Sequence, residues 1–139
     1  MGDFWEPLAK TLLASAARTT SGEGAEVGGF GHYRRIRLEL DVTVAADVAD
    51  DKLDVLVDVD GIPAVHFTQI AGNGDPVKRV AFLEAGAPAT TDADVTADPD
   101  AGVVRPYVLG DVLQVRYEIT DGGAHGQSFT FGVEAFGQV

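Results

Sequence analysis

Apolar and polar residues alternate along this chain, and no other feature constrains its fold as tightly. The clearest run is Ile36-Arg37-Leu38-Glu39-Leu40-Asp41-Val42-Thr43-Val44, and the last is Phe129-Thr130-Phe131-Gly132-Val133-Glu134-Ala135. A period of two places successive side chains on opposite faces of an extended strand, one toward a core and one toward water. The same pattern predicts strands over residues 33–45, 53–59, 65–70, 77–84, 113–119 and 128–135. In the second of these, Leu53, Val55, Val57 and Val59 face inward, while Asp54 and Asp58 form a wet outer face. Among the aromatics, Phe67, Phe82, Tyr117, Phe129 and Phe131 take inward positions. Trp5, Tyr33, Tyr107 and Phe136 are left as exposed rings.

Turn chemistry punctuates these runs. Ser21-Gly22-Glu23-Gly24, Gly28-Gly29-Phe30-Gly31, Asp60-Gly61, Asn73-Gly74-Asp75-Pro76 and Asp121-Gly122-Gly123-Ala124-His125-Gly126 all read as turns or loops. The acidic stretch 47–51 reads as a solvated loop. Seven to eight short strands so spaced predict an all-β fold, an antiparallel β-sandwich with Greek-key or jelly-roll connections. Residues 11–139 form one domain on this reading, with residues 1–10 as an N-terminal arm or short helix. Asp3 is a candidate helix cap, and Phe4, Leu8 and Leu12 share one helical face; an extended arm leading into a strand at 11–20 serves equally.

The chain has 139 residues and no cysteine. A domain of this size buries roughly two-thirds of its unfolded surface, so it needs no covalent staples. Disulfides, thiol nucleophiles and thiolate metal sites are excluded. No apolar stretch approaches the ~20 residues of a membrane-spanning helix, and the first residues lack the pattern of a signal peptide. Ten Lys and Arg against 22 Asp and Glu give a net charge of −12, a surface that phosphate backbones repel, so neither nucleic acid nor membrane is expected as a partner. Arg34, Arg35 and Arg37 nevertheless cluster beside His32 and Tyr33. They either offset nearby acids at a strand edge or dock an acidic partner, another copy of the chain included. Phe4, Trp5 and Leu8 pose a parallel choice, covering the chain's own core or clasping a neighbouring subunit.

Candidate chemistry is sparse. Asp54, Asp58 and Asp60 before Gly61 lack the closing glutamate of a calcium loop. Asp92, Asp94, Asp98 and Asp100 crowd one long acidic loop, 85–102, and are the best candidates for a hard cation, although nothing there fixes ligand geometry. His32, His66 and His125 show no zinc spacing. Ser15, Ser21 and Ser128 lie in no nucleophile elbow, and the glycines at 22–29 match no phosphate-binding fingerprint. The expectation is a protein without cofactor that is not an enzyme.

Four segments, in order, carry a resemblance: Leu12-Leu13-Ala14-Ser15-Ala16-Ala17-Arg18-Thr19-Thr20, Leu38-Glu39-Leu40-Asp41-Val42-Thr43, Phe67-Thr68-Gln69-Ile70 and Gln127-Ser128-Phe129-Thr130-Phe131-Gly132-Val133. Together they resemble the small β-sandwich structural proteins of tailed bacteriophage virions, which open on a Leu-x-Ser-x-x-Arg-Thr-like strand and close on Ser-Phe-Thr-Phe-x-Val. The match covers most of residues 11–135. It departs at the long acidic loop 85–102 and leaves the Phe4-Trp5 segment unmatched. The resemblance implies a capsid decoration protein on the major capsid lattice, assembled into virions in the host cytoplasm and forming a small homo-oligomer, a trimer first. Its partner would be the major capsid protein or another virion protein. A tail or neck accessory protein is the alternative, as is a carbohydrate- or host-surface-binding sandwich. Residues 1–10 and the Arg34–Arg37 region are the expected contacts.

Overall fold

The computed structural model describes residues 10–84, 103–104, 110–120 and 128–139. The expectations placed on Phe4, Trp5 and Leu8, on Asp92, Asp94, Asp98 and Asp100, and on Tyr107 and His125 lie outside these residues. So does the choice between arm and helix for residues 1–9.

Among the described residues the chain is all-β, with ten strands and no helix: β1 (Lys10–Arg18), β2 (Gly22–Glu23), β3 (Arg35–Val44), β4 (Lys52–Val59), β5 (Ile62–His66), β6 (Ile70–Ala71), β7 (Val77–Glu84), β8 (Val103–Val104), β9 (Leu113–Thr120) and β10 (Phe129–Gln138). They form two antiparallel sheets. The first has the order β1-β10-β3-β7; the second runs β2-β9-β4-β5-β8, with β6 also paired to β4. The pairs β3·β10, β4·β9 and β5·β8 are nested, so an early stretch of chain pairs with a late one in reverse order, as in a jelly-roll.

The alternating runs supply the core between the sheets. Ile36, Leu38, Leu40 and Val42 of β3 are fully buried beside Phe129, Phe131 and Val133 of β10. From the second sheet they meet Leu53, Val55, Val57 and Val59 of β4 and Leu113 and Val115 of β9. Each such side chain contributes about 1.5–3 kcal/mol relative to exposure. Phe30 joins this core from the glycine loop before β3, a placement that its surroundings in sequence do not announce.

Local chemistry sets the corners. Asp60 and Gly61 both have positive φ, 48° and 81°, which is the backbone of a two-residue hairpin between β4 and β5. The Asp60 carboxylate then accepts the backbone N–H of Val112 at 2.9 Å and that of Asp111 at 3.3 Å, fixing the entry to β9. The strand expected over 65–70 instead begins at Ile62 and breaks at residues 67–69, where the Phe67 N–H still reaches the Val55 carbonyl at 3.0 Å. Gly72 lies against the Val48 carbonyl, where a Cβ would have no room, and its N–H donates to Asp51 at 2.8 Å. This packing corrects the reading of 47–51 as wholly solvated, because Asp51 is buried.

The strand β1 is irregular, and Arg18 holds it. Its register on β10 shifts between Thr11 and Leu13 and again between Leu13 and Ala16, so β1 bulges over β10. At the crossing, a Cβ on Gly132 would lie 2.9 Å from the Leu13 carbonyl oxygen and the Ser15 nitrogen; only glycine lets the backbones approach this closely. Arg18 donates to the carbonyls of Ala14 (2.7 Å), Ala16 (3.1 Å) and Phe131 (2.7 Å). Its guanidinium stacks over Phe131 and Tyr117, themselves an edge-to-face pair. Arg18 and Gly132 therefore both serve one bulge.

Candidate interaction face

Two outward faces carry polar side chains in quantity, and they differ in kind. On the second sheet, the expected wet face of β4 is buried. Asp54 and Asp58 are 6% and 8% exposed, and Leu56 between them is 4% exposed, correcting the sequence reading. Asp54 sits opposite Glu118 across the β4·β9 ladder, a like-charge pairing that needs compensation. It comes from His66, whose Nε2 lies 3.0 Å from Asp54 Oδ1, and from the Gln69 amide, which donates to both carboxylate oxygens. Asp58 is held by a two-pronged contact from Arg116, Nε to Oδ2 at 2.6 Å and Nη2 to Oδ1 at 2.9 Å. These hydrogen bonds, aided by the Asp58 charge, raise the Arg116 pKa above its ordinary value.

An aspartate beside a histidine is half of a hydrolytic centre, but the serines are placed elsewhere. Ser15 is on the other sheet, Ser21 Oγ accepts the Ile119 N–H at 2.9 Å, and Ser128 stands at the start of β10. Among the described residues, no group of three His, Asp or Glu side chains could hold a metal ion. His32 lies exposed in a turn with its ring against Tyr33, while His66 is buried in the second sheet, so the two do not converge. The two buried carboxylates of this layer, Asp54 and Asp58, each have a donor within hydrogen-bond distance.

The outward face of the first sheet is different. The β3·β7 and β3·β10 registers align it in rows across β10, β3 and β7: Gln138–Arg35–Glu84, then Phe136–Arg37–Phe82, Glu134–Glu39–Val80 and Gly132–Asp41–Lys78. Arg35 pairs with Glu84 at 2.6 Å and lies 4.7 Å over the Phe82 ring. Arg37 pairs with Glu39 at 2.8 Å and lies 4.2 Å over Phe136. Phe82 is therefore on the surface, 39% exposed, with Val80 at 51% beside it, which overturns the inward placement read from sequence. Arg34 is exposed at the end of the sandwich, its N–H donating to Gln138. Of the arginine cluster, the fold thus brings Arg35 and Arg37 onto one face together with two phenylalanines.

At the other end of this face, beside Gly132, lies a dent of about 170 Å³. Thr11, Ser15, Glu39, Asp41, Lys78 and Glu134 surround it. One end of the face is thus arginine and aromatic, the other acidic and hollow. Neither the scan against protein-family models nor the search of curated proteins finds a match for this chain.

Proposed function

We propose that this protein is a structural, non-enzymatic component of a tailed-bacteriophage virion, most specifically a capsid decoration protein, whose working surface is the outward face of β1, β10, β3 and β7. The observation that carries this reading is the Phe82–Arg35–Arg37–Phe136 group, in which Phe82 is exposed and the other three are half-buried. Aromatic and arginine side chains are the types enriched where proteins bind proteins, and here two of each stand together on a broad, rigid sheet. The resemblance of the first and last strands to phage structural proteins adds to it, since Arg18 of the Leu-x-Ser-x-x-Arg-Thr-like strand holds the β1 bulge at the edge of this face.

The expected partner is the major capsid protein or another virion protein, and the site of action is the virion. The test is mixing purified protein with assembled capsids lacking it, followed by sedimentation and counting of bound copies. Stoichiometric binding that is lost in Phe82→Glu supports the reading. Absence of binding to heads and tails alike overturns it.

A further inference from the structure

The sequence holds a single asparagine, Asn73, and a glycine follows it in the turn before β7. Asparagine is among the chemically labile residue types. We propose that Asn73 is a site of spontaneous modification in the folded protein, losing its side-chain amide through a cyclic imide to leave aspartate and isoaspartate. The Gly74 backbone nitrogen gives up its proton and attacks the Asn73 side-chain carbon, Cγ. The N–Cγ bond forms, the Cγ–Nδ2 bond breaks, and the amide leaves as ammonia. Water then opens the imide at either carbonyl. One opening gives aspartate; the other gives isoaspartate, with the main chain routed through Cγ. One water is consumed and one ammonia released, with no oxidant or metal required. The inference goes beyond the virion reading and does not depend on it.

The turn leaves each part of this path open. Asn73 and Gly74 are both exposed, so water and hydroxide reach the reacting peptide. Among the described residues, no hydrogen bond engages the Gly74 N–H or the Asn73 side-chain amide. Neither the attacking nitrogen nor the leaving group has to be freed first. Gly74 brings no side chain to hinder the approach, and a Cβ there would meet only the Ala71 carbonyl oxygen, at 3.6 Å. The flanking chain is held on one side alone. Upstream, the Gly72 N–H donates to the Asp51 carbonyl at 2.8 Å, and the Asn73 N–H donates to the Ala46 carbonyl. Downstream, Gly74, Asp75 and Pro76 are exposed and lie in no strand until β7 begins at Val77. Bringing the nitrogen onto Cγ therefore moves only the free side of the turn.

An asparagine stands here for a backbone reason. Its φ of 58° is left-handed, a conformation that asparagine and aspartate tolerate better than other residues with a side chain. Asp60-Gly61 makes the contrast. That dipeptide is also exposed and has the atoms for the same cyclisation, but its carboxylate is held by the N–H groups of Asp111 and Val112. The two products at Asn73 differ in effect. Aspartate keeps the backbone and adds a charge beside Asp75. Isoaspartate lengthens the main chain by one carbon between the pinned residues and β7, so the turn must re-form at the root of the strand that carries Phe82.

The test follows the exchange of NH2 for OH by mass. The full chain is held folded in mildly alkaline buffer beside a sample unfolded in urea. Intact mass and peptide mapping are expected to place the change at residue 73, with the folded rate within a few fold of the unfolded one. Labelling by an isoaspartyl methyltransferase is expected to mark part of the product. Gly74→Ala fits the open space and should slow the loss about tenfold, equivalent to about 1.4 kcal/mol of added barrier. Should that variant fail to fold, Asn73→Asp keeps the backbone preference and has no amide to lose; any mass gain it shows overturns the assignment to Asn73. The isoaspartyl fraction is expected to unfold at lower urea than Asn73→Asp, and an equal midpoint overturns its effect on the turn. A folded chain that keeps its amide while the unfolded chain loses it overturns the inference. So does a mass gain that maps to the glutamines, or a Gly74→Ala variant as fast as wild type.

Discussion

Arg18 offers the sharpest test of how the sandwich is held together. Replacing it with Met keeps most of the aliphatic stem and deletes the guanidinium. The bond to the Phe131 carbonyl is partly buried and is made by a charged donor, so its loss costs about 1.5–3 kcal/mol. The Ala14 and Ala16 carbonyls are exposed, and water replaces the donor there for about 0.5 kcal/mol between them. The stacking over Phe131 and Tyr117, at 4.8 and 5.3 Å, adds about 0.5–1 kcal/mol. The expected loss is about 3 kcal/mol. That corresponds to a fall of about 10 °C in the melting temperature of a domain this size, or about 1.5 M in the urea midpoint at a slope of about 2 kcal/mol/M. Arg18→Lys keeps the charge but cannot span three carbonyls, so it should lose about half as much. Far-UV circular dichroism through a urea titration measures both. A Met variant within about 0.5 kcal/mol of wild type, or a Lys variant equal to wild type, would refute the claim that the guanidinium clamps the bulge.

The remaining predictions concern other parts of the fold. Arg116→Leu strands the buried Asp58 carboxylate and should cost about 3 kcal/mol in urea unfolding, while the double variant Asp58→Leu/Arg116→Leu should recover most of it, because an apolar pair replaces an ion pair at little cost. Gly72→Ala drives a Cβ into the Val48 carbonyl and should lower the melting temperature by several degrees, about 1–3 kcal/mol of overpacking. Asp60→Ala removes the acceptor for two backbone N–H groups and puts a positive φ on alanine; a loss of about 2 kcal/mol is expected, and Asp60→Asn, which tolerates that backbone, should lose less. Phe82→Ser, by contrast, should leave the urea midpoint within about 0.5 kcal/mol of wild type, since its ring is on the surface.

Where one phase of a strand is apolar and the other polar, the sequence reads correctly. β3 from Ile36 to Val42 and β10 from Phe129 to Ala135 are legible for that reason, while at the strand ends Val44 is exposed and Gln138 buried against the pattern. The segment Val77-Lys78-Arg79-Val80-Ala81-Phe82-Leu83-Glu84 has apolar residues in both phases, and its register on β3 decides that Ala81 and Leu83 go in and Phe82 goes out. Alternation on β4 misled in the opposite direction. Asp54 and Asp58 look like water-facing positions, but their partners His66, Gln69 and Arg116 arrive from 12 to 58 residues away. No local pattern encodes such pairing. The arginine cluster was visible as composition; that Arg35 and Arg37 would share a face with Phe82 and Phe136 depended on two strand registers.

The nested ladder has a consequence for how this molecule comes into being. β10 lies between β1 and β3, and β9 lies between β2 and β4, so the middle of each sheet is among the last strands to be synthesised. Before β10 exists, β1 and β3 have no strand to bridge them, and the edges that will pair with it lack their hydrogen-bond partners. Contacts of such long sequence separation fold slowly, on the millisecond-to-second scale, and they leave strand edges exposed in the meantime. The acidity of the chain then matters before there is a native state. A polypeptide carrying −12 repels its siblings while it waits, which protects those open edges from pairing with another chain before β10 arrives.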